Sequence, residues 1–289
     1  MAELLKGKPV VDSMALDLRA RIEALGRAKV VPALALVRVG RRPDDLSYER
    51  TARKRAESLG IAIRPYELDE FAPQAAIEAA IHEVNRDENV HGCLLFRPLP
   101  SFVDESHMCE LLDPKKDIDG ITLASLASVF TDGHAGYPPA TAAACIQLLD
   151  HYQVPLQGKH VVVVGRSLVV GKPVSMMLLR RNASVTICHS KTENLADIMR
   201  SADVVICATG RARTFGARFF GPGQTVLDVG INFDTQGNLC GDVDFAEVEP
   251  VVAAITPVPG GIGTVTTSVT MAHTVAAAEA ALAARTGRR

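Results

Sequence analysis

The sequence predicts an α/β fold of two domains built on aliphatic parallel sheets, and three observations predict it. The chain has 289 residues, which at roughly 100–200 residues per domain suits about two domains. Hydrophobic residues make up 47% and aromatic residues only 4%, with no tryptophan. The core must therefore be Val, Leu, Ile and Ala, the composition of parallel sheets covered by helices on both faces. Finally, strand-like and helix-like segments alternate along nearly the whole chain, which is the order of βα units.

The elements follow in sequence. ALALVRVG (33–40) reads as a buried strand. DDLSYERTARKRAESLG (44–60) reads as a helix with an acidic first turn and Gly60 as its stop. IAIRPYEL (61–68) is a second strand, and APQAAIEAAIHEVNRD (72–87) is a helix with apolar residues at 3–4 spacing. VHGCLLF (90–96) is a third strand that runs into RPLP. DPKKDIDG (113–120) is charged and turn-rich, hence a loop, and AAACIQLLDHY (142–152) is a helix. A new strand series begins after QVPLQGK, which places a domain boundary near residue 150. There, QGKHVVVVGRSLVVGKPVSMMLLRRNASVTICHSKT reads as strand, glycine turn, helix and strand, a βαβ unit. DVVICAT (203–209) and TVLDVGIN (225–232) are further strands, ITPVPGGIGT (255–264) is a loop, and the Ala-rich segment 266–285 is a helix.

Composition also excludes. A net charge of −2 offers nothing global to attract nucleic acid or an anionic membrane. No apolar run approaches the roughly 18–20 residues of a membrane span, and MAELLKGKPV lacks the apolar stretch of a secretory signal. Cys93, Cys109, Cys145, Cys188, Cys207 and Cys240 form no CxxC pair and read as reduced, buried thiols of a cytoplasmic protein. His82, His107, His134, His151 and His160 lack ligand spacing, so no metal site is expected.

The strongest local signal is the turn Gly165-Arg166-Ser167-Leu168-Val169-Val170-Gly171, between a continuous hydrophobic strand and a helix start. Free N–H groups and the helix dipole at such a start favour phosphate. Ser167 stands where a GxGxxG pattern has its second glycine, and an ordinary βα turn has the same spacing. The following strand ends Cys188-His189-Ser190-Lys191, without the acidic residue that holds the ribose hydroxyls of NAD. Arg166, Ser190 and Lys191 instead suit the 2′-phosphate of NADP, with Lys191 as a plain solvated charge the alternative.

The segments GRSLVVGKPVSMMLL, VTICHSKTENL, ADVVICATG, VLDVGIN, GDVDF and ITPVPGGIGTVT follow one another over about residues 158–275. In that order and spacing they resemble the bifunctional methylenetetrahydrofolate dehydrogenase/methenyltetrahydrofolate cyclohydrolase family. The VG before Tyr48, then PLP and KDIDG, extend the resemblance over nearly the whole chain. It implies an α/β folate domain, residues 1–150 completed by a C-terminal helix 265–289, facing a Rossmann-like NADP-binding domain, residues 151–264, across a cleft. Homodimers are common in the family. The implied reaction passes a hydride from the methylene carbon of methylenetetrahydrofolate to NADP, after which water opens the methenyl cation to formyltetrahydrofolate. Matching positions imply Tyr48 and Asp119 as catalytic residues. Tyr48, Phe96, Asp119, Pro259, Gly260 and Gly261 would lie against the tetrahydrofolate derivative. Gly165, Arg166, Ser167, Gly171, Ser190, Thr209, Gly210 and Ile231 would lie against NADP.

The chain departs from the family where the second step is catalysed. The family has Tyr-x-x-x-Lys, but Ala52 stands four residues after Tyr48, and the spacings from Gly40 and to Gly60 leave no gap. On a helix Ala52 lies about 40° from Tyr48, while Lys54 points well round the other side. Arg55 returns to the face, yet arginine is no base near neutral pH. Phe96 occupies the place of the glutamine that hydrogen-bonds the family's lysine, with Arg97 beside it in place of an apolar residue. Losing both partners is coherent, since either alone would be left unpaired. The family's C-T-P-x-G segment reads Ala140-Thr141-Ala142-Ala143-Ala144, and Thr264 replaces a proline.

Tyr48 as a half-buried helix aromatic, Phe96 as core filler and Asp119 as a turn cap are the structural alternatives. The expected function is an NADP-dependent methylenetetrahydrofolate dehydrogenase with cyclohydrolase activity weak or lost. The alternatives are a paralogue acting on another folate or one-carbon adduct and a non-catalytic NADP- or folate-binding protein.

Overall fold

The computed structural model describes residues 1–287, which divide into two units. One comprises Ser13 to Ala140 and the chain from Thr267 onward; the other comprises Met1 to Asp12 and Thr141 to Thr266. Two helices, Gly7–Arg27 and Ile262–Arg285, run from one unit into the other along the chain. The first dozen residues and residues 141–150 group with the second unit. The cause at the N-terminus is pairing: Glu3–Leu4 adds a short parallel strand beside Ala254–Ile255.

In the first unit, three parallel strands lie in the order Ala62–Leu68, Ala33–Val39, Gly92–Leu95. All seven residues of the central strand are buried, as expected of a strand covered on both faces. Its side chains alternate between two cores. Leu34 and Leu36 pack with Leu18, Ala52, Ala56, Phe96, Met271 and Val275. Ala35, Val37 and Val39 pack with Ile77, Ile81, Val84 and Met108. The exception is Arg38, buried and paired with Glu49 (Nε–Oε2 2.6 Å) and Glu67 (Nη2–Oε2 3.1 Å). Glu49 sits on the helix Pro43–Leu59 one residue after Tyr48, so this ion pair ties that helix to the sheet. The helix opens with Pro43, Asp44 and Asp45 and ends where Gly60 turns left-handed at φ 80°.

In the second unit, six parallel strands run in the order Glu3–Leu4, Ala254–Ile255, Thr225–Asp228, Val204–Cys207, His160–Val164, Ser184–Cys188. From His160–Val164 the chain steps outward to Ser184–Cys188, then returns to Val204–Cys207 on the other side. This is the switch point at which doubly wound sheets open a crevice beyond their carboxyl ends. The helix Gly171–Arg180 connects the first two of these strands. All six cysteines are free and buried.

The elements read from pattern are present, with shifted ends. The expected loop 255–264 contains the end of the strand Ala254–Ile255 and the start of the helix Ile262–Arg285. The expected strand 225–232 stops at Asp228, and Asn232–Phe233 forms a separate hairpin with Leu239–Cys240. The helices Gly7–Arg27, Glu105–Leu111 and Leu123–Thr131 were not foreseen. Among the described residues, no helix is long and apolar enough to cross a membrane.

Candidate active site

The turn after His160–Val164 is built by two glycines in contact. Gly165 has φ 139°, and a side chain there would meet the Ala208 carbonyl oxygen at 2.3 Å. A Cβ on Gly171 would lie 2.1 Å from the Gly165 oxygen. Only glycine at both positions lets the helix start approach the strand end so closely. Ser167 Oγ accepts from the Val170 N–H at 3.1 Å and closes the turn.

Beyond this turn lies a cavity of about 310 Å³ lined in part by Gly165, Arg166, Ser167, His189, Ser190 and Thr209. Arg166, Ser167 and Ser190 are exposed. The carboxyl end of Ser184–Cys188 presents His189 and Ser190 and no carboxylate. Backbone N–H groups at a helix start, a guanidinium and a serine hydroxyl fit a phosphorylated dinucleotide. Gly171 is buried and shapes the turn rather than lining the cavity. Lys191 and Gly210 flank lining residues, while Ile231 is 64% exposed, one residue before the hairpin.

Thr209 is held by Asp242 of the GDVDF segment. The buried Asp242 carboxylate accepts from the N–H groups of Thr209, Gly210 (3.2 Å) and Arg211 (2.8 Å), from Thr209 Oγ1 (2.9 Å) and from Asn232 Nδ2 (3.0 Å). Asp228 in turn accepts from the N–H groups of Asp242 and Val243, each at 2.9 Å. Burial outweighs those donors and pushes the Asp228 carboxyl up to about 7. A buried acid among several backbone N–H groups was the available signal.

Pro259, Gly260 and Gly261 lie in the same unit, on the loop before Ile262–Arg285. Gly260 oxygen accepts from the Gly7 N–H at 2.7 Å.

The first unit brings Tyr48, Phe96 and Asp119 into one neighbourhood. Tyr48 and Phe96 meet edge to face, with centroids 6.0 Å apart and planes at 75°. Ala52 is 1% exposed and Phe96 5%, both in the same apolar cluster that Tyr48 packs against. Lys54 is exposed and Arg55 half-buried. Burial, then the nearby Asp119 charge, push the Tyr48 phenol above its ordinary range; hydrogen bonds with the Thr270 and Thr267 hydroxyls act the other way. The phenol is therefore protonated throughout the physiological range.

Asp119 follows a loop pinned by buried Asp117, which accepts from the N–H groups of Ile121 (2.9 Å) and Thr122 (2.8 Å) and from Ser125 Oγ (2.6 Å). Burial pushes the Asp119 carboxyl up to about 7; the positive Arg97 opposes this, the negative Asp117 adds to it, and the Ala140 N–H opposes it. Arg97 also pairs with Glu105 at 3.6 Å. His273 Nδ1 lies 2.8 Å from the Ile118 oxygen, and its ring stacks on Tyr137 at 5.0 Å. His273, Thr267 and Thr270 were missed because they lie in a helix read only as Ala-rich, although TTSVTMAHT is a polar run in a buried segment. Among the described residues, no cluster of His, Cys, Asp and Glu is arranged to hold a metal.

Comparison with known proteins agrees with both halves. Residues 5–119 match the tetrahydrofolate dehydrogenase/cyclohydrolase catalytic domain, and residues 139–282 match the NAD(P)-binding domain of the same family. The bifunctional protein FolD of Carboxydothermus hydrogenoformans is 48% identical over 281 residues, covering 96% of this chain and 98% of the relative. The crystal structure of the bifunctional FolD enzyme from Campylobacter jejuni superposes with a TM-score of 0.94 at 34% identity, covering 97% of this chain and 99% of that one. The Trypanosoma brucei enzyme complexed with NADP cofactor and inhibitor gives 0.92 at 31% identity, covering 97% and 98%. The chain belongs to the tetrahydrofolate dehydrogenase/cyclohydrolase family of folate one-carbon metabolism.

Proposed function

We propose that this chain oxidises methylenetetrahydrofolate with NADP and leaves the resulting methenyl cation essentially unhydrolysed. One observation carries the second half of that reading. The positions where the family has its lysine and its glutamine hold Ala52 and Phe96, both buried in one apolar cluster against Tyr48. No group at those positions can take or give a proton during water attack. Hydride transfer has no such need; it depends on holding donor and acceptor in register. NADP, when bound, supplies the hydride-accepting chemistry. Arg166 and Ser190 receive its 2′-phosphate, and the turn Gly165–Gly171 receives its pyrophosphate. Asp119, when ionised, accepts from the amino and ring N–H groups of the pterin, and Tyr48 with Phe96 forms an apolar wall with one hydroxyl on it.

The substrate is thus a tetrahydrofolate derivative, with no nucleic-acid or membrane partner. A cytoplasmic homodimer fits the free buried thiols and the common assembly of the family. The test is turnover. The purified protein is expected to reduce NADP with methylenetetrahydrofolate, and absence of that turnover despite tight NADP binding would contradict the reading. The double change Ala52→Lys with Phe96→Gln is expected to raise hydrolysis of methenyltetrahydrofolate above that of the unmodified protein.

A further inference from the structure

Asp242 is fully buried, and a buried carboxylate is costly unless donors surround it. Five donors do so. Oδ2 accepts from the Thr209 N–H, from Thr209 Oγ1 and from the Gly210 N–H, while Oδ1 accepts from the Arg211 N–H and from Asn232 Nδ2. Successive N–H groups converge on one anion where the backbone curls into a nest, and Gly210 supplies the left-handed residue of this one, at φ 66°. Thr209 and Arg211 also line the cavity beside the glycine turn, whereas Asp242 stands behind them and does not line it.

The fifth donor belongs to a different segment. Asn232 opens the hairpin strand Asn232–Phe233 and directly follows Ile231. One carboxylate thus ties two stretches to a single anchor, and the family resemblance sets both of them against NADP. The anchor is itself fixed, because the N–H groups of Asp242 and Val243 donate to Asp228 at the end of the strand Thr225–Asp228. The packing leaves no slack: a Cβ on Gly230 would fall onto the Asp242 carboxylate, and one on Gly241 onto that of Asp228.

We propose that Asp242 is a positioning residue for the cofactor, holding the Thr209–Arg211 turn and the segment at Asn232 in the one arrangement that receives NADP. The inference rests on the reading of this cavity as the NADP site. Asp242 does not touch the cofactor; it acts through the two segments it holds.

The experiment uses the full chain and two variants. Asp242→Asn keeps the shape but replaces one acceptor oxygen by an amide that can only donate, so the N–H groups on that side lose their partner. Asn232→Ala removes the fifth bond alone and leaves the buried acid in place. Calorimetric titration is expected to show NADP affinity weakened about tenfold in Asp242→Asn and about threefold in Asn232→Ala, the sizes of hydrogen bonds lost from a shared anion. Hydrogen exchange in the peptide covering Thr209 to Arg211 should quicken in Asp242→Asn. Tetrahydrofolate affinity should stay within about twofold of the parent, a split that general loosening of the protein would not produce. Unchanged NADP affinity in a folded Asp242→Asn, or equal losses for both ligands, would overturn the proposal. Should Asp242→Asn fail to fold, Asn232→Ala decides, and NADP affinity equal to the parent's would overturn it. A parent that binds no NADP would sink the cofactor reading and this inference with it; a parent that binds NADP beside unaffected variants would sink this inference alone.

Discussion

Phe96 presents its ring to Tyr48 edge to face, 6.0 Å between centroids, with Ala52 buried in the same cluster. The neighbourhood is apolar as a unit, which sets how substitutions there must behave. Phe96→Gln alone buries an amide with no partner and is expected to destabilise by about 3 kcal/mol, from the unpaired group and the lost packing. Ala52→Lys alone buries an ammonium and should cost a similar amount or more. Together the two new groups can hydrogen-bond each other, so the double variant should cost less than the sum by about 1 kcal/mol or more. Chemical denaturation of the four proteins of this cycle measures it; strict additivity would show that the two positions do not meet.

Asp119 gives a pH dependence of activity. Burial raises its carboxyl to about 7, and the form that accepts from the pterin N–H groups is the ionised one. kcat/KM for methylenetetrahydrofolate is therefore expected to fall as pH drops through about 7, because protonation removes an acceptor. Asp119→Asn should lower kcat/KM by about 100-fold at pH 8 and abolish that inflection. A profile flat between pH 6 and 8 in the parent would exclude Asp119 from this role.

His273 gives a pH dependence of stability. Burial lowers its pKa from 6.5 to about 4, against the opposing pull of the Ile118 carbonyl and Asp117. Between those values the unfolded chain binds a proton that the folded chain refuses. The stabilising effect of the neutral ring is thus complete above about pH 6.5 and is lost as pH falls toward 4. The loss is on the order of 3 kcal/mol at full extent. His273→Asn keeps a donor for the Ile118 oxygen and cannot titrate. Its stability relative to the parent should improve by that order from pH 7 to pH 4, measured by urea unfolding at each pH.

In the second unit, Gly171→Ala places a methyl group 2.1 Å from the Gly165 oxygen. It should weaken NADP binding by tenfold or more, as the turn opens, and lower stability by about 2 kcal/mol. Arg166→Ala should leave stability unchanged, since Arg166 is exposed, and should weaken NADP more than NAD. Titrations with both nucleotides decide it, and equal losses would refute contact with the 2′-phosphate.

Much of this was legible in the sequence because it depends on local pattern. The run of buried residues at 33–39, the left-handed stop at Gly60 and the glycine turn 165–171 each carry their own signal. The helix Gly7–Arg27 also had one, since Val10, Val11, Met14, Leu18, Ile22 and Leu25 recur at helical spacing; Gly7 and Pro9 at its start obscured it. The strand Glu3–Leu4 had none, because it exists only by pairing with residues some 250 positions away. At the site, Ala52 and Phe96 were readable as missing functions from spacing alone. What replaces them was not. The bonds that Asp242 accepts from Thr209 depend on which segments the fold brings together.

With Ala52 and Phe96 in place of the family's lysine and glutamine, hydride transfer is expected without hydrolysis of its product. It is tested most directly by supplying methenyltetrahydrofolate to protein already shown to reduce NADP with methylenetetrahydrofolate, and following its disappearance against a protein-free control. The expected rate is indistinguishable from the spontaneous one. Hydrolysis that rises in proportion to enzyme concentration would contradict it.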